Sequence, residues 1–292
     1  MCVTFVAFFD SETEDHESAS PHSRYKVILV NTRDEDFSRP TSPLSWKDDL
    51  MAGWDDQVGG LSTWLAVSAS GNIGNVLAIE EPPSIMQTKR PRSRGYIPTD
   101  YLQSKSLSTY CASLSNSSDL YRGFQFVGLE RCSRKNYRMV SLVNRLENSR
   151  AIKYYPPGCY GFGNSPYDIP FLKVQRGEEK FRSIIQKHMN SDMGEIIPEL
   201  LNFVQDPTPY FPDSQLKSQT LALCKAEDDY KYLSSLFVRN KIDKEYGSRS
   251  HSVILIDRND HVMFHEKRLA DEPHFDGQNE NWESSTISFS IA

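Results

Sequence analysis

The sequence predicts an α+β domain, two β-sheets layered between helices, as a single domain over residues 1–292. Three observations carry this. Runs rich in β-branched and aromatic residues lie towards both ends of the chain. Segments of helical period lie in the middle, between Glu178 and Arg239. No internal repeat is visible, and the Pro-rich, basic stretch from Glu80 to Pro98 does not separate two cores. Sheets and helices with one apolar face bury it by stacking in layers.

The elements follow in order. "CVTFVAFF" reads as a strand beginning almost at the first residue. Glu12 to Ser23 is polar and reads as a loop. "YKVILV", Tyr25–Val30, is continuously apolar, as a strand buried on both faces should be. It runs into "NTRDEDFSRP", expected as a charged turn, and Ser38 to Trp46, with Pro40 and Pro43, as loop. "TWLAVSA" and "IGNVLAI" flank Ser70-Gly71-Asn72, a hairpin signal. Pro98 to Leu114 reads as a helix with Pro98 in its first turn.

"GFQFVGLE" and "YRMVSLV" are two strands about a polar turn, and "AIKYYPPGCYGFGNSP" is strand, turn, strand. Glu178–Met189 carries Phe181, Ile184, Ile185 and His188 at helical spacing. Met193–Val204 is a second helix, despite Pro198, and Asp228–Arg239 a third. "SVILID" and "HVMFHEK" form a hairpin about Asn259-Asp260, and "STISFSI" is the last strand.

Composition narrows the function classes. The net charge of −6 argues against general nucleic-acid binding, which needs a basic face. The five cysteines (Cys2, Cys111, Cys132, Cys159, Cys224) contain no CxxC pair, so neither a zinc framework nor a dense disulfide scaffold is expected, and no metal site. That usage suits a reducing compartment. "VTFVAFF" is short and followed by acids, unlike a signal peptide. No run approaches the roughly 20 apolar residues of a membrane helix. A cytoplasmic protein, with room for peripheral membrane contact, is the expectation.

Cys2 is the most informative residue. Cysteine is small enough for removal of the initiator Met, which would leave an α-amine beside a thiol. Such an amine titrates at roughly 7.7–8.0 and can serve as base for its own side chain. Alone, a cysteine here is equally a small hydrophobe. The pairing of the first two strands adds weight. If strand one starts at Cys2 and strand two ends at Val30, an antiparallel pair brings Arg33 and Asp34 to Cys2. Arginine would favour a thiolate and the carboxylate would hold the amine. Asn164 in "FGNSP" and Arg249 in "YGSRSHS" stand beside strand ends, where Asn can donate to an oxyanion and Arg can hold a carboxylate. Asp34 is the expected partner of Arg249. The seven histidines form no helical HxxxH pair, and each reads first as a surface or turn residue.

Met-Cys at the start, "NTRDEDFSRP", "STWLAVSASGN", "SRGYIPTDYL", "YRGFQFVG", "YGFGNSP" and "YGSRSHSVILID" occur in this order. With them the chain resembles the NRDE family, the transport and Golgi organisation 2 proteins, over nearly its whole length. Arg33, Asp34 and Glu35 match the family's Asn-Arg-Asp-Glu motif; Thr32 occupies the position of its Asn. The family is similar to N-terminal-nucleophile hydrolases, which implies a four-layer αββα sandwich. It also implies that Cys2 is the nucleophile position, that Arg33 and Asp34 line it, and that Asn164 and Arg249 complete the pocket. Related sequences carry "TNY" after the second hairpin strand, and its Asn serves the oxyanion in those hydrolases. Here the segment is "VLAIEE", and Ala78 has no side-chain donor. Loss of one such donor costs roughly a hundredfold in rate.

The resemblance further implies intracellular haem trafficking, with haem as cargo, and links to lipid or acyl-CoA homeostasis and to Golgi, mitochondrial or other organelle membranes. Two readings stay open. One is a haem carrier without hydrolytic activity, in which Lys89, Arg90, Arg92 and Arg94 meet propionates or coenzyme A phosphates, although such an island is more simply a solvated loop. The other is a Cys2-dependent amidase or thioesterase.

Overall fold

The computed structural model describes residues 1–10, 23–79, 92–132, 136–146, 151–220, 227–239, 245–270 and 280–291. Cys224, His16, His22, His274, Lys89, Arg90 and almost all of the loop expected over Glu12–Ser23 lie outside the described residues.

The described residues form thirteen strands. They are β1 (Val3–Phe8), β2 (Tyr25–Asp36), β3 (Thr41–Lys47), β4 (Leu50–Asp55), β5 (Leu65–Ser68), β6 (Ile73–Ala78), β7 (Phe124–Arg131), β8 (Tyr137–Val143), β9 (Ile152–Tyr155), β10 (Gly158–Phe162), β11 (Tyr246–Asp257), β12 (His261–Leu269) and β13 (Trp282–Ser290). The helices are α1 (Ile97–Leu102), α2 (Leu107–Asn116), α3 (Leu172–His188), α4 (Met193–Val204) and α5 (Ser214–Thr220). One antiparallel sheet has the order β10-β1-β2-β11-β12-β13, and the other runs β3-β4-β5-β6-β7-β8-β9.

The side-chain alternation of β1 shows how the layers are made. Val3, Phe5 and Ala7 point to one face, where Phe181 of α3 and Phe203 of α4 pack on Phe5. Val6 and Phe8 point to the other, into a core shared with Leu65, Val67, Leu77 and Val127 of the second sheet. The far face of that sheet is covered by α1 and α2, through Ile97, Tyr101, Leu107 and Cys111 on Phe124, Phe126 and Val140. Helix, sheet, sheet, helix: this is the four-layer αββα sandwich. Among the described residues no helix is long and apolar enough to cross a membrane. The four described cysteines are free thiols.

Several local expectations change. The "NTRDED" segment is no turn: β2 continues through it to Asp36, paired with β11 as far as Tyr246. A buried strand tolerates these polar residues because they find partners. Asn31, for instance, donates to the carbonyl of Val3 and the hydroxyl of Thr4. The stretch Ser38–Trp46 is mostly strand β3, an edge strand whose register shifts between Ser42 and Ser45, around Pro43. Edges and bulges are where a strand accepts proline.

The helix expected over Pro98–Leu114 is two helices, because the side chain of Ser106 caps a fresh start by accepting from the N–H of Thr109. The third helix expected at Asp228–Arg239 is a 3-10 segment, Glu227–Ser234, followed by an irregular run. Strand β4 and helix α5 escaped the sequence reading. The two hairpins about Gly71 and Asp260 form as expected; Gly71 sits at φ 86°, where glycine is favoured. Strands β9 and β10 join different sheets, so Pro156 and Pro157 carry the chain between layers.

Candidate functional site

The site is laid out by strand register. In the six-stranded sheet Val3 pairs with Thr32 on one side, and Thr4 with Phe162 on the other. Continuing both registers towards the N-terminus sets Cys2 between Arg33 and Asn164. On the next strand Ser248 faces Asp34 and Ser250 faces Arg33, so Arg249 is the extra residue of a bulge. Asn164, Cys2, Arg33 and Arg249 therefore form a row across the end of four neighbouring strands.

Residues opposite one another share a face, and this face looks into the space between the sheets. The Arg33 guanidinium lies over the Trp64 ring, 4.4 Å from its centroid. The Asn164 amide donates across to the carbonyl of Ala78 on β6 at 2.7 Å. Its Oδ1 is buried and without a partner among the described residues. The Cys2 thiol, packed against the inter-sheet core, points its hydrogen at the carbonyl of Asp34, 3.6 Å away. Burial pushes that thiol above its usual range. The neighbouring N-terminal ammonium and Arg33 pull it down by less, and the Asp34 carboxylate pushes it up further. A thiol held neutral is a weak nucleophile.

Asp34, one residue along, faces the helices. Its carboxylate lies 3.4 Å from the α-ammonium of Met1 and accepts from the Ser248 hydroxyl at 2.5 Å. The same ammonium donates to the hydroxyl of Tyr246. Lys173, fully buried on α3, donates to the carbonyls of Met1 at 3.2 Å and Ser235 at 3.1 Å. Met1 itself is buried in the helix-side core. The carboxylate does hold an α-amine, that of Met1.

The expected ion pair between Arg249 and Asp34 is absent, because the bulge turns Arg249 to the inter-sheet side. There it donates to the carbonyls of Asp36, at 3.0 Å, and Arg39. Burial, then the nearby Arg33, brings its pKa down to about 10. Thr32, at the motif's Asn position, exchanges a 2.9 Å hydrogen bond with Nδ1 of His251. His251 is fully buried, stacks on Trp282, and is pushed down to about 3 by burial and then by Arg239 and Lys267. His261 is paired with Asp257, and His265 and His188 with hydroxyls. None of these four lines the cleft beside Arg33.

That cleft is bounded by Arg33, Trp64, Arg249, Ser250, Glu266 and Arg268, none but Arg33 and Arg249 anticipated from the sequence. Glu266 had a readable signal. It continues the inward alternation of Val262 and Phe264, so a carboxylate stands where the pattern calls for an apolar residue. It is 1% exposed, accepts from the N–H of Leu44 at 2.9 Å, and is pushed up to about 7 by burial. A second, open cleft of about 370 Å³ lies past Asn164, walled by Val143, Ile152, Tyr154, Tyr155, Pro166 and Tyr167.

Fold and site define an αββα sandwich that carries a cysteine at its second residue, set in a row with an arginine and an asparagine at the head of the inter-sheet cleft. Residues 1–271 match the family model for transport and Golgi organisation 2. The Drosophila melanogaster "Transport and Golgi organization protein 2" is 30% identical over 260 residues, 86% of this chain and 89% of that protein. The Mus musculus and Homo sapiens homologues of that name are 25% and 26% identical, each over 100% of this chain and 99% of theirs. Among solved structures, the Caenorhabditis elegans N-acylethanolamine-hydrolyzing acid amidase ortholog aligns with a TM-score of 0.44 at 10% identity, over 87% of this chain and 92% of that one. The chain belongs to the transport and Golgi organisation 2 family.

Proposed function

We propose that this protein is an intracellular haem carrier, which holds haem as cargo in the cytoplasm and at the surfaces of organelles such as the Golgi, and does not cleave what it binds. The observation that carries the non-hydrolytic part is the amide of Asn164. One of its two N–H groups donates to the Ala78 carbonyl at 2.7 Å, so only the other is left for a developing oxyanion. The neutral thiol of Cys2 points the same way. The cargo itself is proposed from the resemblance to the family. The tyrosine-walled cleft of about 370 Å³ supports it, being within the roughly 300–1,000 Å³ range of small-molecule sites and lined by flat aromatic surface. The links to Golgi organisation and to lipid or acyl-CoA homeostasis belong to the same proposal.

Haem titration followed at the Soret band tests it. A saturable, reversible shift is expected, and Tyr154→Ala should weaken it. No shift at haem concentrations well above micromolar overturns the carrier reading.

The alternative, a Cys2-dependent amidase or thioesterase, is favoured by the row of Asn164, Cys2 and Arg33. It requires a free amine on Cys2. Mass spectrometry of the mature terminus, with assays on amide and thioester substrates, separates the two. A retained Met1 rules out the hydrolase, and turnover lost in Cys2→Ala establishes it.

A further inference from the structure

The cations around the mouth of the inter-sheet space are unequally matched. Arg39 meets both carboxylate oxygens of Asp55, the nearer at 2.7 Å. Arg33 has Glu35 at 3.5 Å and Asp55 at 4.0 Å. Arg268 has Glu283 at 3.8 Å and donates to the carbonyl of Thr41. Arg249 differs: it donates only to main-chain carbonyls and, among the described residues, forms no ion pair.

Around it stand further donors without acceptors. The Ser250 hydroxyl and the Trp64 indole N–H are buried and have no hydrogen-bond partner among the described residues; the Arg268 Nε–H is also without a hydrogen bond, with Glu283 3.8 Å from that nitrogen. The indole and guanidinium groups can only donate. Buried polar groups of this kind are ordinarily satisfied. All of them, with Arg33, wall one cleft whose free space is about 10 Å³, enough for about one water-sized group. What completes such a set is an anionic oxygen. The buried Glu266 in the same wall, with Glu35 and Asp55 behind Arg33 and Glu283 behind Arg268, limits the charge to be added. Glu35, Asp55, Glu266 and Glu283 equal Arg33, Arg39, Arg249 and Arg268 in number, so what the cleft lacks is acceptor oxygens for its donors rather than much negative charge, and a phosphate dianion would be repelled.

We propose that the cleft between Arg33, Arg249 and Arg268 binds the carboxylate of a small-molecule ligand, one oxygen among the buried donors and the rest of the molecule towards the mouth. The site is independent of the haem reading. An aliphatic acid and a porphyrin propionate present the same chemistry to it.

Calorimetric titration of the full chain with decanoate and with methyl decanoate, and with haem and haem dimethyl ester, tests this. At least one acid should bind about tenfold or more tightly than its ester, as expected for loss of a charge-assisted contact. Arg249→Gln should remove that preference. Ser250→Ala, a smaller change, should weaken the acid alone, and thermal melts of both variants report whether they are folded. Preference confined to decanoate marks an aliphatic acid, and preference in the haem pair marks a propionate. Equal affinity for acid and ester in both pairs overturns the proposal, as does an acid preference that persists in folded Arg249→Gln. Loss of haem binding with decanoate preference intact would sink the haem reading alone.

Discussion

Replacing Glu266 with glutamine should stabilise the protein, and more so as the pH rises. The carboxyl is 1% exposed and receives one main-chain hydrogen bond, from Leu44. Burial raises it from 4.5 to about 7; the Leu44 N–H, Arg268 and Arg33 oppose this without cancelling it. A folded-state value above the unfolded one means that the native state holds the proton more tightly. The stability contributed by this group is therefore complete below about pH 4.5 and is lost as the pH rises through about 7. A difference of that size corresponds to about 3 kcal/mol. Glutamine keeps an acceptor for the Leu44 N–H and cannot ionise. Urea unfolding of Glu266→Gln and wild type at about pH 5 and about pH 8 measures the effect. The stability difference should shift in favour of the variant by about 2–3 kcal/mol between the two. A difference that does not change with pH would mean that Glu266 is ionised throughout, paired with the arginines around it, and would refute the reasoning.

His251 works in the opposite direction. Held neutral with its pKa down at about 3, it costs stability as the pH falls from the ordinary histidine value of 6.5 towards 3, and His251→Asn should flatten the acid limb of a Tm-against-pH curve. Asp34→Ala leaves the Met1 ammonium buried without its carboxylate and should lower stability by about 3–5 kcal/mol in denaturant unfolding. Gly74→Ala would set a Cβ 2.8 Å from the carbonyl oxygen of Pro98 and 3.0 Å from its Cα, and backbone yields little, so a loss of about 1–3 kcal/mol is expected by the same measurement.

The alternation and apolar runs of β1, β11 and β12 determined those strands by themselves, because a half-buried strand must place like residues two apart. The helical period did the same for α3 and α4, and the order of elements gave layered sheets. The closeness of Cys2, Arg33 and Asp34 was also legible, since antiparallel pairing of two identified strands brings the end of one to the start of the other. What the sequence withheld was direction and partnership. It marked "NTRDED" as charged, but only its neighbours on β1 and β11 make it strand, by supplying hydrogen bonds that a turn would have found in water.

It suggested Arg249 as the partner of Asp34, but one extra residue in β11 sends the two side chains to opposite faces of the sheet. It offered Asn164 as a donor, but could not say that one of its two N–H groups would meet a carbonyl of the other sheet. The period of a strand is a local property, carried by each residue and its neighbours. A bulge, a contact between sheets or a cleft walled by Trp64, Arg249 and Glu266 depends on segments far apart in the chain, and exists only once the layers have packed.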